Sequence, residues 1–208
     1  MTEDDAKSII AADVSRETLE NLESYVAALL KWQKAINLIA PSTIPHVWER
    51  HILDSAQVFK LRHVDSGSWL DIGSGAGFPG LVCAIMASEL APDLSFTFIE
   101  SDLRKGSFIR EVARICGVKV AVLTRRVEDA PAQNAHIISA RALADLQRLC
   151  DLAFPHLAPD GKCLFLKGAN AEQEIIEAKE IWQMSLETHP SLTSTDGRIV
   201  EIGDLSRV

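Results

Sequence analysis

The chain has 208 residues, 47% of them hydrophobic and 24% charged, and a formal net charge of −8 at pH 7. That is ample material for one large domain, or one domain with an extension, and not for a disordered chain. No apolar run approaches the roughly 20 residues that cross a bilayer, and the acidic start Met1-Thr2-Glu3-Asp4-Asp5 lacks a signal peptide's basic n-region, so no membrane partner and a cytoplasmic location are expected.

The chain divides near Ser66-Gly67-Ser68. Before it the pattern is helical. Leu19, Leu22, Tyr25, Val26, Leu29, Leu30 and Ile36 recur at helical spacing, Ser15 supplies a cap, and Pro41 is expected to end the helix. A second helical piece is expected from His46 to about Leu61. The first two dozen residues carry no signal of a role.

From Ser68 onward strands and helices alternate. The pattern predicts a strand over Ser68–Ile72, a helix from Gly80 to Leu90, and a strand from Leu94 to Ile99. A helix from Leu103 to Cys116 follows, stopped by Gly117, and then a strand from Val118 to Thr124. A strand from Ala135 to Ser139 precedes a helix from Leu143 to Leu157 and a turn at Pro159-Asp160-Gly161. The remainder is a strand from Lys162 to Leu166, a helix from Ala171 to Met184, and two weaker strands, Ser185 to His189 and Arg198 to Ile202, joined through Ser194-Thr195-Asp196-Gly197. Such alternation implies a mostly parallel sheet with helices on both faces and an antiparallel edge.

Within this frame, Asp71-Ile72-Gly73-Ser74-Gly75-Ala76-Gly77-Phe78-Pro79-Gly80 is the richest stretch. Glycines at a strand-to-helix turn let backbone N–H groups approach a ligand. The spacing is G-x-G-x-G, and Phe78 stands where a dinucleotide fingerprint needs its third glycine. A carboxylate at Asp71 disfavours a pyrophosphate and suits a ligand with positive charge. S-adenosylmethionine, with its sulfonium and α-amino group, is the cofactor expected. A glycine-rich turn without a ligand is the competing reading.

Open α/β sheets bind ligands past the carboxyl ends of their strands. Glu100 ends the second strand, where a carboxylate accepts from a ribose diol; its plainer reading is a neighbour of the next helix's cap. Val127 and Glu128 follow the third strand and suit the adenine. Arg141 ends the fourth and Lys167-Gly168 the fifth, which places two cations on the same rim, as clamps or as surface groups. The four cysteines, Cys83, Cys116, Cys150 and Cys163, are widely spaced and apolar in context, so buried reduced thiols are expected. No metal site is expected from the scattered histidines.

Charge is unevenly spread. Residues 31–60 sum to +2 and 101–126 to +5, against −5, −4 and −6 for residues 1–30, 61–100 and 127–208. Two basic islands in an acidic chain fit local contact with a structured RNA, and equally fit solvated helix faces.

Several segments, in order and spacing, resemble one family. They are Lys31-Trp32-Gln33-Lys34, Asn37-Leu38-Ile39-Ala40, Arg50-His51-Ile52-Leu53-Asp54-Ser55, the Asp71–Gly80 loop, Val127-Glu128, Ser139 with Arg141-Ala142, and Leu166-Lys167-Gly168. Together they resemble the bacterial RsmG family, also called glucose-inhibited division protein B, over roughly residues 25–202. The resemblance implies a Rossmann-like class I S-adenosylmethionine-dependent methyltransferase with a seven-stranded sheet. Residues 1–66 would form a helical extension packed on a methyltransferase domain, 67–208. The implied reaction is methyl transfer to N7 of one guanine, guanine 527 in the 530 loop of 16S ribosomal RNA. The implied partner is that RNA in the small subunit or an assembly intermediate, with no stable protein partner.

The resemblance implies cofactor contacts at Gly73, Phe78, Val127, Glu128 and Arg141, and the readings of the glycine loop and strand ends add Asp71, Gly75, Gly77 and Glu100. No residue is expected to move a proton, because guanine N7 already carries a lone pair; Arg141, Lys167 and Asn37 are the positioning candidates. Arg50, His51, Arg104, Lys105, Arg125 and Arg126 are the candidates for RNA contact. A small-molecule methyltransferase and a non-catalytic nucleotide-binding regulator are the alternatives.

Overall fold

The structure, a computed structural model, describes residues 1–208. Seven strands form one sheet in the order β3-β2-β1-β4-β5-β7-β6. They are β1 (Ser66–Ile72), β2 (Asp93–Ile99), β3 (Val120–Leu123), β4 (Ala135–Arg141), β5 (Leu157–Lys167), β6 (Trp182–Pro190) and β7 (Arg198–Arg207). The first five run parallel, and β7 is antiparallel to both β5 and β6. The order reverses between β1 and β4, which is the switch point where such sheets open a crevice.

Alternation along β1 splits the core. Trp69 packs with Phe59, Phe96 and the helices of one face, while Leu70 and Ile72 join Leu146, Leu149, Phe165 and Trp182 on the other. Helix α4 (Gly80–Leu90) is buried from Gly80 through Ala87. It lies between the sheet and a further layer, made by α2 (Arg16–Trp32) and α3 (Asp54–Lys60). This explains the uninterrupted apolar run from Gly80 to Ala87, which has no solvent side. Helices α5 (Leu103–Ile115), α6 (Leu146–Ala153) and α7 (Ala171–Lys179) complete the cover. No helix is long and apolar enough to cross a membrane. All four cysteines are free and buried.

Several expectations need correction. Helix α2 ends at Trp32, well before Pro41. There Gln33 takes over: its Oε1 accepts from the amides of Leu38 and Ile39, and its Nε2 donates to the Ile39 carbonyl at 2.8 Å. One side chain thus satisfies the backbone of the turn, so no proline is needed to stop the helix. The stretch expected as one helix from His46 is a 3-10 turn, Pro41–His46, a π-helical segment, Trp48–Leu53, and then α3.

The segment Pro159-Asp160-Gly161 is not a turn before a strand but an irregularity inside β5, where the pairing with β4 jumps from Leu157 to Lys162. Gly161 is required there, because a Cβ would sit 2.6 Å from the Ala135 carbonyl. The helix expected to reach Met184 stops at Lys179, since Trp182 is drawn into β6 by its buried ring. The helix expected over Leu143 to Leu157 is shorter, Leu146–Ala153, followed by a 3-10 turn at Phe154–His156.

An unforeseen helix, α1 (Glu3–Ala11), opens the chain with a Thr2–Asp5 capping box. Glu3 accepts from the amides of Trp48 at 2.9 Å and Glu49 at 3.1 Å. It therefore caps the π-helical segment that carries Arg50 and His51.

Candidate active site

A cavity of about 590 Å³ opens past the ends of β1, β2 and β4. The glycine loop forms its floor. Gly73, Gly75 and Gly77 have φ of +62°, +57° and +94°, the left-handed region that favours glycine. Tyr25, from α2, donates its hydroxyl to the Ala76 carbonyl at 2.6 Å and stacks on Phe78. The helical layer thus holds the loop in shape.

Glu100 is buried at the end of β2 and ties the loop to the next helix. Its Oε2 accepts from Gly75 N at 2.7 Å and its Oε1 from Asp102 N at 2.8 Å. Each carboxylate oxygen has a second lone pair, so the group can still accept from a diol. Ile99, Val127, Leu143 and Leu152 give the cavity apolar walls, and Glu128 and Arg148 form an ion pair at its edge. His156 fixes the Val127 turn through a hydrogen bond between Nε2 and the Val127 carbonyl at 3.2 Å.

At the inner end stands Arg141. Its Nη1 donates to the Arg50 carbonyl at 3.0 Å and lies 3.5 Å from Asp54 Oδ2; its Nη2 lies 2.7 Å from His51 Nδ1. The guanidinium also sits 4.8 Å over the Phe78 ring. Arginine only donates, so His51 Nδ1 is the acceptor and the ring carries its hydrogen on Nε2, where it donates to Thr43 Oγ1 at 2.8 Å. Burial, then the charges of Arg141 and Arg50, push the His51 pKa down to about 3. The imidazole is neutral, with both nitrogens engaged.

A second cavity, of about 390 Å³, shares Arg141 and Ala142 with the first. It lies past β4 and β5, between the π-helical segment and the β6–β7 loop.

The site residues expected from sequence fall into three groups. Gly73, Gly75, Phe78, Glu100, Val127, Glu128 and Arg141 line the first cavity, as do Lys105, Arg125 and Arg126. Arg50 and Lys167 line the second, and Lys167 is already paired with Glu174 and the Ala144 carbonyl.

The rest lie elsewhere. Asp71 does not line the cavity: it is fully buried behind the loop, where its Oδ1 accepts from Ser139 Oγ at 2.5 Å and its Oδ2 has no partner. Burial raises its pKa to about 7. Gly80 is the reason it fits, since a Cβ there would sit 2.8 Å from the Asp71 carboxyl carbon. Gly77 lines neither cavity and is needed for packing under Leu81 and Tyr25. Asn37 is exposed beside Gln33 and lines neither, and Arg104 is exposed and paired with Asp102. His51 is buried rather than facing solvent. The residues that sequence reasoning missed are Tyr25, Asp54, Leu143, Arg148 and His156. Tyr25 gives the same helical signal as any core position.

The arrangement fits S-adenosylmethionine. Gly75 leaves open space where a Cβ would project, Glu100 supplies a carboxylate with free lone pairs, and the far end is apolar. Strand order, glycine loop and cavity define a class I S-adenosylmethionine-dependent methyltransferase. Solved structures agree in fold. A ribosomal protein L11 methylase from Lactobacillus delbrueckii subsp. bulgaricus superposes with a TM-score of 0.59 at 18% identity, covering 76% of this chain and 78% of that one. A methyltransferase from Aquifex aeolicus gives 0.59 at 16%, covering 79% and 98%. TYW2 of M. jannaschii in complex with AdoMet gives 0.58 at 11%, covering 76% of each.

Sequence is more specific. The model of the family "GidB: rRNA small subunit methyltransferase G" matches residues 18–201. A Ribosomal RNA small subunit methyltransferase G from Cereibacter sphaeroides (strain ATCC 17025) is 51% identical over 208 residues, all of both chains. One from Ruegeria sp. (strain TM1040) is 46% identical over 204 residues, 98% of this chain and 99% of that one. This chain belongs to the rRNA small subunit methyltransferase G family.

Proposed function

We propose that this enzyme transfers the methyl group of S-adenosylmethionine to N7 of a guanine in the 530 loop of 16S ribosomal RNA, within the small subunit or an assembly intermediate. The observation that carries the reading is the cationic rim of the first cavity. Lys105, Arg125 and Arg126 line it without a carboxylate partner, in a chain of net charge −8. Arg125 makes one long contact, 3.4 Å, to the Asp129 carbonyl. Local positive charge on an acidic protein suits phosphates of a folded RNA.

The bound cofactor supplies a methyl group on a sulfonium. That methyl would pass to the N7 lone pair, a C–N bond replacing the C–S bond, whose electron pair would stay on sulfur. Positive charge moves to the base and no proton is transferred. The chain's own task is alignment: Glu100 and the glycine loop hold one partner, and the Arg141 assembly fixes the wall facing the other. His51 has no free nitrogen with which to act as a base. Small subunits from cells lacking this enzyme, incubated with it and methyl-labelled cofactor, should take up label at N7 of one 530-loop guanine. Label confined to small molecules, or to another RNA position, would overturn the reading.

A further inference from the structure

The first two dozen residues carry no sequence signal of a role, yet one side chain of α1 reaches the segment that holds Arg141. We propose that Glu3 is a positioning residue for methyl transfer: its carboxylate fixes the π-helical segment where Arg50 and His51 hold the Arg141 guanidinium. This rests on the reaction proposed above and adds the element that keeps the Arg141 wall in place.

Three observations support it. The first is where the carboxylate is spent. An acid in the first turn of a helix ordinarily serves that helix's own free amides. In α1 Thr2 and Asp5 do this work, as a capping box. Glu3, half-buried, turns instead to a segment some 45 positions later. It accepts from that segment's first two amides, Trp48 N to Oε2 at 2.9 Å and Glu49 N to Oε1 at 3.1 Å. One oxygen meets each donor, so the contact fixes direction as well as distance.

The second is how firmly α1 is seated. Ala6 and Ile10 are buried, and Lys7 lies over the Trp48 ring at 5.5 Å while paired with Glu23 of α2. Glu3 therefore acts from a tied-down helix and not from a frayed terminus.

The third is what depends on the segment. π-Helical turns are rare and concentrate at functional sites. This one presents two acceptors to a single guanidinium: the Arg50 carbonyl to Arg141 Nη1 at 3.0 Å, and His51 Nδ1 to Nη2 at 2.7 Å. A displacement of about 1 Å would carry both beyond hydrogen-bond range. Arg141 would then lose its hold on the wall of the cofactor cavity. Misplacement on that scale costs rate while leaving the fold intact.

The test replaces Glu3 in the full chain. Glu3→Ala keeps helix propensity and removes the carboxylate; Glu3→Asp keeps the charge but is a methylene too short to meet both amides. Each variant is assayed for methyl transfer to small subunits and for S-adenosylmethionine affinity by calorimetry. The state of His51 is followed by NMR titration of the imidazole. In the parent, Arg141 faces its Nδ1, Thr43 its Nε2, and Phe78 its ring face, with Arg50 adding positive charge. That ring should stay neutral from about pH 5 to 8. The expected result in both variants is kcat lowered by about 10- to 100-fold, with cofactor affinity within about threefold of the parent. The His51 ring should titrate closer to its ordinary value of about 6.5. Parental kcat with His51 released would overturn the positioning role. An unchanged His51 titration would also overturn it, whatever the rate, because the segment would then hold its place without Glu3. If Glu3→Ala does not fold, Glu3→Asp decides, since it keeps an acid in the first turn of α1. Failure of the parent to label the RNA would instead refute the function, and the His51 titration would still show whether Glu3 holds the segment.

Discussion

Glu100 is the most exacting point at which to perturb the cofactor site. Its carboxylate accepts from Gly75 N and Asp102 N at 2.7 and 2.8 Å, and so bridges the glycine loop to the start of α5. In Glu100→Gln the amide has one oxygen. It can satisfy one of these donors, and its NH2 group then faces the other. A charge-assisted bond is worth about 1.5–3 kcal/mol, so losing one should weaken cofactor binding by roughly ten- to hundredfold. Part of that loss is loop shape and part is direct contact with the ribose, and calorimetry with two ligands separates them. The parent should bind a 2′-deoxy cofactor analogue more weakly than S-adenosylmethionine, and the variant should barely distinguish the two. Unchanged affinity in a folded Glu100→Gln protein would refute the role of Glu100 altogether. Equal 2′-deoxy penalties in both proteins would confine it to the loop.

Gly75→Val places a β-branched residue at φ +57° in the floor of the cavity, and should abolish cofactor binding while circular dichroism shows the sheet intact. Reversing Arg125 and Arg126 to Glu should weaken subunit binding and flatten its salt dependence; since both also line the cofactor cavity, calorimetry should show a smaller loss of cofactor affinity than of subunit affinity. Single-turnover rates should be flat across roughly pH 6.5 to 8.5, because no base is used; a tenfold rise that vanishes in His51→Gln would make His51 that base. Stability should carry two opposed pH terms, readable as melting temperature. The unfolded state protonates His51 near 6.5 but the folded state only near 3, so His51 favours folding above that window and loses the contribution as pH falls through it. Asp71 keeps its proton up to about 7 when folded and to 3.8 when unfolded, so its contribution is full at low pH and lost as pH rises to 7. Asp71→Asn should therefore gain on the parent between pH 4 and 7, by up to about 4 kcal/mol.

Local sequence carried most of the succession of strands and helices along the chain and the floor of the first cavity. Glycines at Gly73 and Gly75, an acid at the end of β2 and a valine–glutamate pair after β3 are signals within a few residues of one another, and the parallel topology brings such strand ends together wherever it forms. The limits of α4 were legible because Gly80 and Leu90 bound an apolar run. Asp71 shows the opposite case. An acid two residues before a glycine loop looks the same whether it points into the crevice or away from it. Only the pairing of Asp71 with Ser139 across β1 and β4, and the missing Cβ of Gly80, decide that it is buried.

The Arg141 centre was likewise invisible as a unit. It joins Arg141 to residues of the π-helical segment, about 90 positions earlier, and to a loop about 50 positions later through Asp54. Each partner alone resembles an ordinary surface or core residue. Sequence periodicity reports whether a position is apolar and which way it faces on its own element. It does not report which polar groups meet across elements. That is settled by the packing of the helical layer on α4 and the sheet, and the same packing makes His51 a neutral buried acceptor rather than an exposed cation.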